Sequence, residues 1–412
     1  MVLYLHSRQT CVAAPPDNAK SAQAVANLQQ WLKESDAPLG KIAEQPFAAV
    51  PLAKADAATA RGLLWQAHRE RIRQERRQEH AQKLITDGDL RMPYDYHVFG
   101  KAPATGRSLW ISLHGGGGAP PKVNDAQWEN QKRLYKLDEG IYLAPRAPTD
   151  NWNLWHEPHI DRMFARLIEN FIVLADVDPN RVFILGYSAG GDGVYQLAPR
   201  MADRWAAASM MAGHPNGVSL LSVRNVPFAL QVGERDSAYS RNRVGREYGD
   251  KLAEMRTADP GGYEHFVNIR QGKGHWMDGE DAEALPWMAK FTRNPRPQRV
   301  VWQQTGHNQR RSYWLAVPPD QVKGDSLVIA TRDGQTINLE ETKNVKSLLV
   351  HVDDQMQDLD QEIRVIHGKQ ELFRGVVPRT ITALAASLAE RGDPDLMFAG
   401  MIAVEIPPGN LP

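Results

Sequence analysis

Apolar side chains recur at helical spacing through residues 1–91. Ala22, Val25, Leu28, Trp31 and Leu32 predict a helix over 21–33, and a second, longer helix is predicted over 57–85. From residue 92 to 297 the pattern changes to short apolar runs separated by helical stretches. Leu109–Leu113, Ile141–Ala144, Val182–Leu185, Ala207–Met211, Phe228–Val232 and His265–Ile269 read as strands; 161–175, 239–255 and 281–291 read as helices. Such alternation predicts a mostly parallel sheet covered by helices. Asn294-Pro295-Arg296-Pro297 reads as a linker. Beyond it the period becomes two. Strands are expected over 312–317, 326–331, 335–339, 347–352, 363–367, 371–376 and 398–404, with Asp333-Gly334 as a hairpin turn and one helix over 380–391. The expected organisation is a helical N-terminal extension (1–91), an α/β domain (92–297) and a mainly antiparallel β-sandwich (298–412).

Composition narrows the function classes. The chain has 412 residues, 49 Lys+Arg against 49 Asp+Glu, and so no net charge drawing it to nucleic acid or an anionic membrane. Arg69 to Arg77 is arginine-rich, but interspersed glutamates and i,i+4 pairs such as Arg71/Glu75 and Glu79/Lys83 make it a solvated face. With 42% hydrophobic and 24% charged residues the chain is globular, and no apolar run is long enough for a membrane helix. The lone Cys11 excludes an intrachain disulfide and argues against a cysteine zinc site. Val2-Leu3-Tyr4-Leu5 is too short for a signal h-region. The expected compartment is therefore the bacterial cytoplasm or, where a leader has been trimmed, the periplasm or exterior. Oligomeric state is left open.

Gly186-Tyr187-Ser188-Ala189-Gly190 matches G-x-S-x-G, with an apolar strand before it and a helical stretch after it. An exposed serine on a sharp strand-to-helix turn needs small residues two positions to either side, so Ser188 is a candidate nucleophile. His114-Gly115-Gly116-Gly117-Gly118 follows an earlier strand. Its glycines allow close backbone approach to a developing oxyanion, and no Gly-Lys-Ser/Thr follows to make it a phosphate loop. A serine needs a base, and the base needs an orienting acid. His275, in Gly272-Lys273-Gly274-His275-Trp276, lies in a loop past the last strand of this region; His214 precedes the acid candidates and His265 sits within a strand. Gly233-Glu234-Arg235-Asp236-Ser237 supplies the acid, Asp236 ahead of Glu234, with Asp250 and Asp259 remote.

These motifs, in the order Ser…Asp…His, resemble the α/β-hydrolase fold, in particular its serine-esterase branch: poly(3-hydroxybutyrate) depolymerases, feruloyl and acetyl esterases and dienelactone-hydrolase-like enzymes. The resemblance covers residues 92–295 and is specific to fold rather than substrate. It implies that Ser188 attacks, that His275 acts as base and then acid, and that Asp236 fixes the imidazole tautomer. The N–H groups of Ala189, Gly115 and Gly116 would form the oxyanion hole. The implied reaction is hydrolysis of a small or polymeric carboxylic ester through an acyl-serine, with no cofactor and no metal. Tyr187, Trp152, Trp155 and Trp276 are candidate substrate contacts. Two rival readings are a serine peptidase of prolyl-oligopeptidase type and a non-catalytic hydrolase-like binding module. The intact motif set argues against the second.

Three other clusters take structural readings. His156 and His159 in Trp155-His156-Glu157-Pro158-His159 lack helical metal-ligand spacing. Asp353-Asp354 and Asp358-Leu359-Asp360 read as a solvated turn rather than a calcium loop. Trp302, Tyr313 and Trp314 read as core residues.

Overall fold

The structure, a computed structural model, describes residues 16–34, 39–305 and 310–407; Cys11 and the first residues of the chain lie outside the described residues. The chain divides into two compact units. One comprises residues 69–313 with 323–325, and the other 1–68, 314–322 and 326–412. Helix α1 is Asn18–Glu34, and helix α2 is Lys54–Ala81.

The larger unit is built on one eight-stranded sheet. Its strands are β1 (Leu84–Asp87), β2 (Leu90–Phe99), β3 (Arg107–Leu113), β4 (Gly140–Pro145), β5 (Val177–Tyr187), β6 (Ala207–Met211), β7 (Phe228–Gly233) and β8 (His265–Arg270). Their spatial order is β1-β2-β4-β3-β5-β6-β7-β8. β1 and β2 pair antiparallel, as do β2 and β4, and every later pairing is parallel. Helices α3 (Pro121–Gln131), α4 (Pro158–Leu174), α5 (Ala189–Arg200) and α6 (Arg241–Ala258) make crossovers, and α7 (Ala284–Met288) follows the last strand. This is the α/β-hydrolase arrangement. β4, β6 and β7 are buried at every position, so they read in sequence as mainly apolar runs, with Ser209 and Gln231 as buried polar members. Trp110 stacks on Phe183 at 4.1 Å within the core, where each large apolar side chain contributes about 1.5–3 kcal/mol by leaving water.

Register places the site. Leu113 pairs with Gly186, Tyr187 with Met211, Met211 with Gln231, and Gly233 with Arg270. The carboxyl ends of β3, β5, β6, β7 and β8 therefore finish at one level, and the loops that follow them emerge along one edge.

Two elements differ from the sequence expectation. The helix predicted to reach Ile85 stops at Ala81. Lys83 takes φ 52°, and residues 84–87 instead form the hairpin β1–β2 over Gly88, at φ 60°. The buried face of α2, Ala57, Ala60, Leu64, His68 and Ile72, does not continue to Leu84, which lies about half a turn away from it, so Leu84 and Ile85 start a strand instead of ending the helix. The strand expected over 312–317 is broken into Arg311–Ser312 and Leu315–Ala316, with Tyr313 at φ 53° between them.

The smaller unit joins N-terminal helices to C-terminal strands. Ser21 donates its hydroxyl to Asp56 Oδ2 (2.5 Å) and accepts from the Ala53 N–H (2.8 Å), clipping α1 to the start of α2. The turn Leu39–Glu44 packs on the helix Ile381–Arg391, and Leu52 bridges to Arg379. That helix is capped by Thr380, whose Oγ1 accepts from the Ala383 N–H, and it ends on Gly392 at φ 58°. Thr336–Lys343 pairs antiparallel with Leu327–Asp333 across Gly334, and parallel with Ile363–His367, which pairs antiparallel with Gln370–Gly375. A second sheet holds Leu315–Ala316, Ser347–Val352 and Gly400–Glu405. The pairing is mainly antiparallel, as expected, with that one parallel exception.

Trp302, Tyr313 and Trp314 are all buried. The acidic turn is more built than its sequence implies. Arg379 makes a fork to Asp354 (2.8 and 2.6 Å) and a third bond to Asp360 (2.6 Å), while Arg61 lies 3.4 Å from Asp353.

Candidate active site

The nucleophile candidate sits where β5 turns into α5. Ser188 has φ 59° and ψ −123°, a strained conformation for a residue with a Cβ and one that costs on the order of 1–3 kcal/mol. Its neighbours make the turn sterically feasible. A Cβ on Gly186 would lie 2.3 Å from the Gly190 carbonyl oxygen, and one on Gly190 would lie 2.1 Å from the Leu113 oxygen. The two glycines of the motif are therefore required by contact. The Ser188 N–H bonds the Met211 carbonyl at 2.9 Å, tying the elbow to β6.

His275 Nε2 is 2.9 Å from Ser188 Oγ, and His275 Nδ1 is 2.8 Å from Asp236 Oδ2. Asp236 is buried, while the histidine side chain is 44% exposed and so reachable by a substrate. Gly233 allows the two loops to meet, since a Cβ there would lie 2.0 Å from the Gly274 carbonyl oxygen. The Arg235 N–H donates to Lys273 (2.8 Å), and the Asn242 N–H to the Asp236 carbonyl (2.9 Å). Glu234 points elsewhere: its Oε2 accepts the Gly272 N–H at 2.9 Å. The sequence places both acids near the histidine. The structure gives Asp236 the imidazole and Glu234 the backbone of the histidine loop.

The glycine loop lies against the elbow. A Cβ on Gly115 would sit 3.1 Å from the Ser188 Cβ, and Gly116, at φ 104°, has Asn124 Oδ1 where a Cβ would be. His114 is buried at the base of the loop. The Ala147 N–H donates to its Nε2 (3.1 Å), so the ring proton is on Nδ1, which donates to the Gly115 carbonyl (2.6 Å). Burial holds the imidazole neutral, with its pKa pushed down to about 4. Because the peptide is trans, a Gly115 carbonyl turned toward His114 leaves the Gly116 N–H facing the opposite side. Among the described residues no acceptor is bonded to the N–H of Gly115 or Gly116. Ala189 opens α5, so its N–H has no acceptor within the helix.

A polar frame holds this loop. Asn124 Oδ1 accepts the Gly117 N–H (2.8 Å), and its Nδ2 donates to Asp150 Oδ1 (2.8 Å). Arg146 bonds Asp150 (2.5 Å) and Asp125 (2.9 Å). None of these four residues stands out in the sequence, because their roles depend on contacts between separate loops.

The aromatic candidates divide. Trp155 is fully buried, its indole N–H donating to the His114 carbonyl (3.0 Å); it braces the loop from behind and is corrected from substrate contact to packing. Tyr187 is buried too. Its hydroxyl donates to the His275 carbonyl (2.7 Å) and accepts the Met277 N–H (3.0 Å), which anchors the histidine loop. Trp152, beside Gly117 and Gly118, is 64% exposed, and Trp276, next to His275, is 51% exposed. Only these two of the four face solvent. His156 packs edge-on to Trp152, and burial pushes its pKa down to about 4; His159 lies 3.6 Å from Glu157. Among the described residues no group of three metal-ligating side chains gathers, and no helix is long and apolar enough to cross a membrane.

The class of protein defined here is an α/β-hydrolase-fold chain with a serine, a histidine and an aspartate in series at the sheet edge. No family model matches the chain. Over 145 residues it is 32% identical to "Putative esterase NocK" of Nocardia uniformis subsp. tsuyamanensis, a match covering 32% of this chain and 41% of that protein, so the chain spans well under half of that relative. It is similar to a thermostable esterase of known structure (20% identity, TM-score 0.39, 51% of this chain and 62% of that one). It is also similar to the Bacillus cereus carboxylesterase (16% identity, TM-score 0.36, 48% of this chain and 94% of that one).

Proposed function

We propose that the chain is a serine hydrolase that cleaves carboxylic esters through an acyl-serine intermediate. The observation that carries this is the unbroken hydrogen-bond series Asp236–His275–Ser188, lying beside glycine N–H groups with no acceptor. In this reading His275 Nε2 takes the Ser188 proton as Oγ bonds to the ester carbonyl carbon. The carbonyl oxygen becomes an oxyanion and is met by the N–H groups of Ala189, Gly115 and Gly116. Collapse breaks the ester C–O bond, and His275 passes its proton to the departing alcohol. Water, deprotonated by the same imidazole, then attacks the acyl-serine and releases the acid. Asp236 keeps the Nδ1 proton in place and stabilises the imidazolium. Serine, base and backbone dipoles supply each step without a cofactor. The likeness to the Nocardia protein named "Putative esterase NocK" supports an ester over an amide as the scissile group.

Labelling with a fluorophosphonate, followed by a panel of acyl esters and aminoacyl amides, tests the reading. The expected result is labelling of wild type, none of Ser188→Ala, and a turnover loss on the order of 10⁶-fold in that variant on the preferred ester. Equal labelling of the variant would overturn the assignment. Preference for amides would move the chain to the peptidase class, and an unlabelled, inactive wild type to the binding-module class.

A further inference from the structure

Arg241 opens α6, five residues beyond Asp236. Its guanidinium lies 3.8 Å from Asp236 Oδ1, the oxygen that does not bond His275. The side chain is 11% exposed, and its Nε is buried with no hydrogen-bond partner. The Tyr239 ring covers it at 4.8 Å. Taking a guanidinium out of water is costly, and a structural arginine offsets that cost with hydrogen bonds. Arg379 does so through three of them. Arg241 does not, so what it contributes at its position is charge.

Two carboxylates, one buried and one half-buried, receive that charge. Asp236 is one. The other is Asp192 in the first turn of α5, which accepts the His214 N–H (2.6 Å); burial raises its pKa, and Arg241 is among the groups opposing the rise. Of the other charged or titratable neighbours of the Asp236–His275 pair, Arg235 is exposed to solvent, and those that follow are already engaged or carry no charge. Glu234 holds the Gly272 N–H, and Lys273 pairs with Asp278 (2.9 Å) and Glu280 (2.6 Å). The Tyr187 hydroxyl is bonded to the histidine loop and stays neutral, and Ser188 Oγ meets His275 itself. Arg241 is therefore the cation facing the free oxygen of the triad acid.

We infer that Arg241 is a positioning residue of the triad, the counter-charge that faces Asp236 Oδ1 and leaves Oδ2 aimed at His275. The inference rests on the ester-hydrolase reading above. The sign of its effect is fixed. Removing a positive charge beside the pair makes imidazolium easier to form, so the acid limb of any reaction that needs the free imidazole moves to higher pH.

The test is the pH dependence of fluorophosphonate inactivation, which needs His275 as base and no knowledge of the substrate. Arg241→Gln is expected to have its acid limb displaced upward by about one pH unit, so that below the wild-type midpoint it inactivates about tenfold more slowly than wild type. Arg241→Lys is expected to restore the wild-type midpoint. Arg241→Met, which keeps the apolar stem, carries the same measurement should the glutamine variant not fold. An unmoved midpoint in a folded neutral variant overturns the inference, as does failure of both neutral variants to fold, which would make Arg241 structural. Absence of labelling in wild type is a different result, since it removes the ester-hydrolase reading itself.

Discussion

Two acidic clusters, one in each compact unit, use the same residue type in opposite ways. In the smaller unit Asp354 and Asp360 are consumed by the Arg379 fork, three bonds of 2.8 Å or less. In the larger unit Asp236 is more deeply buried, yet its side chain bonds only the Nδ1 of an imidazole, while the nearest guanidinium stands off at 3.8 Å. A spent carboxylate stabilises; one whose hydrogen bond runs on through an exposed imidazole to a strained serine is arranged for proton transfer. Acid content alone does not separate the two, and the sequence is if anything denser in aspartate at 353–360.

The largest expected effect breaks the catalytic side of this comparison. Asp236→Asn presents an amide where the imidazole N–H needs an acceptor and favours the wrong tautomer. Turnover on a given ester should fall by roughly 10³–10⁴-fold, with the apparent affinity for substrate little changed. A loss below tenfold, measured by steady-state kinetics, would place Asp236 with Asp354 as a structural acid.

His114 borders the site but is spent in the manner of Arg379, both ring nitrogens being bonded to backbone. Its folded pKa of about 4 lies below the ordinary value of 6.5. A depressed histidine contributes stability that is complete above pH 6.5 and is lost as pH falls through the folded value. Over that interval the unfolding free energy should drop by about 3 kcal/mol on this account. His156, depressed for the same reason, adds to the slope. Denaturant unfolding of His114→Asn across pH 4 to 6.5 should give a flatter profile than wild type. An unchanged slope would separate His114 from the acid sensitivity.

Arg379→Met sharpens the other side. It strands Asp354 and Asp360 and should cost about 2 kcal/mol in denaturant unfolding, since both acids retain some access to water. Turnover by the folded protein should stay within twofold of wild type. A large loss of turnover without loss of stability would contradict the division of roles.

The parts legible in sequence are those set by local sterics. The buried parallel strands are mainly apolar runs. The elbow is legible because Gly186 and Gly190 are forced by contacts two residues from Ser188. The hairpin β1–β2 is marked by Asp87-Gly88, the same turn signal that predicts the 333–334 hairpin, but it follows directly on the helix-favouring residues up to Ala81, which carry a helical reading past the true end. Trp155 and Trp152, three residues apart, are indistinguishable as letters; the first fills the space beside Gly193 and the second faces water. Asn124, Asp150 and Arg146 act across separate loops, Arg241 acts from a helix start on a loop five residues before it, and no local pattern announces them.

The smallest expected effect falls between the two clusters. Glu234 sits two residues from Asp236 on the same loop, and a purely sequence-based assignment could choose either. In the structure its carboxylate accepts a single backbone N–H, that of Gly272, and so helps shape the loop that carries His275. A glutamine keeps an oxygen able to accept that bond and removes only a partly exposed charge. Glu234→Gln should therefore cost under about tenfold in turnover, the scale of a neighbouring charge that tunes the local field. Glu234→Ala, which also removes the acceptor, should cost more than glutamine does, through looser placement of His275 rather than through lost proton transfer. Kinetics of the two variants beside Asp236→Asn, on one ester, decide the order. A glutamine variant as impaired as Asp236→Asn would reverse the assignment of the acid, and an alanine variant no worse than glutamine would show that the loop holds His275 without Glu234.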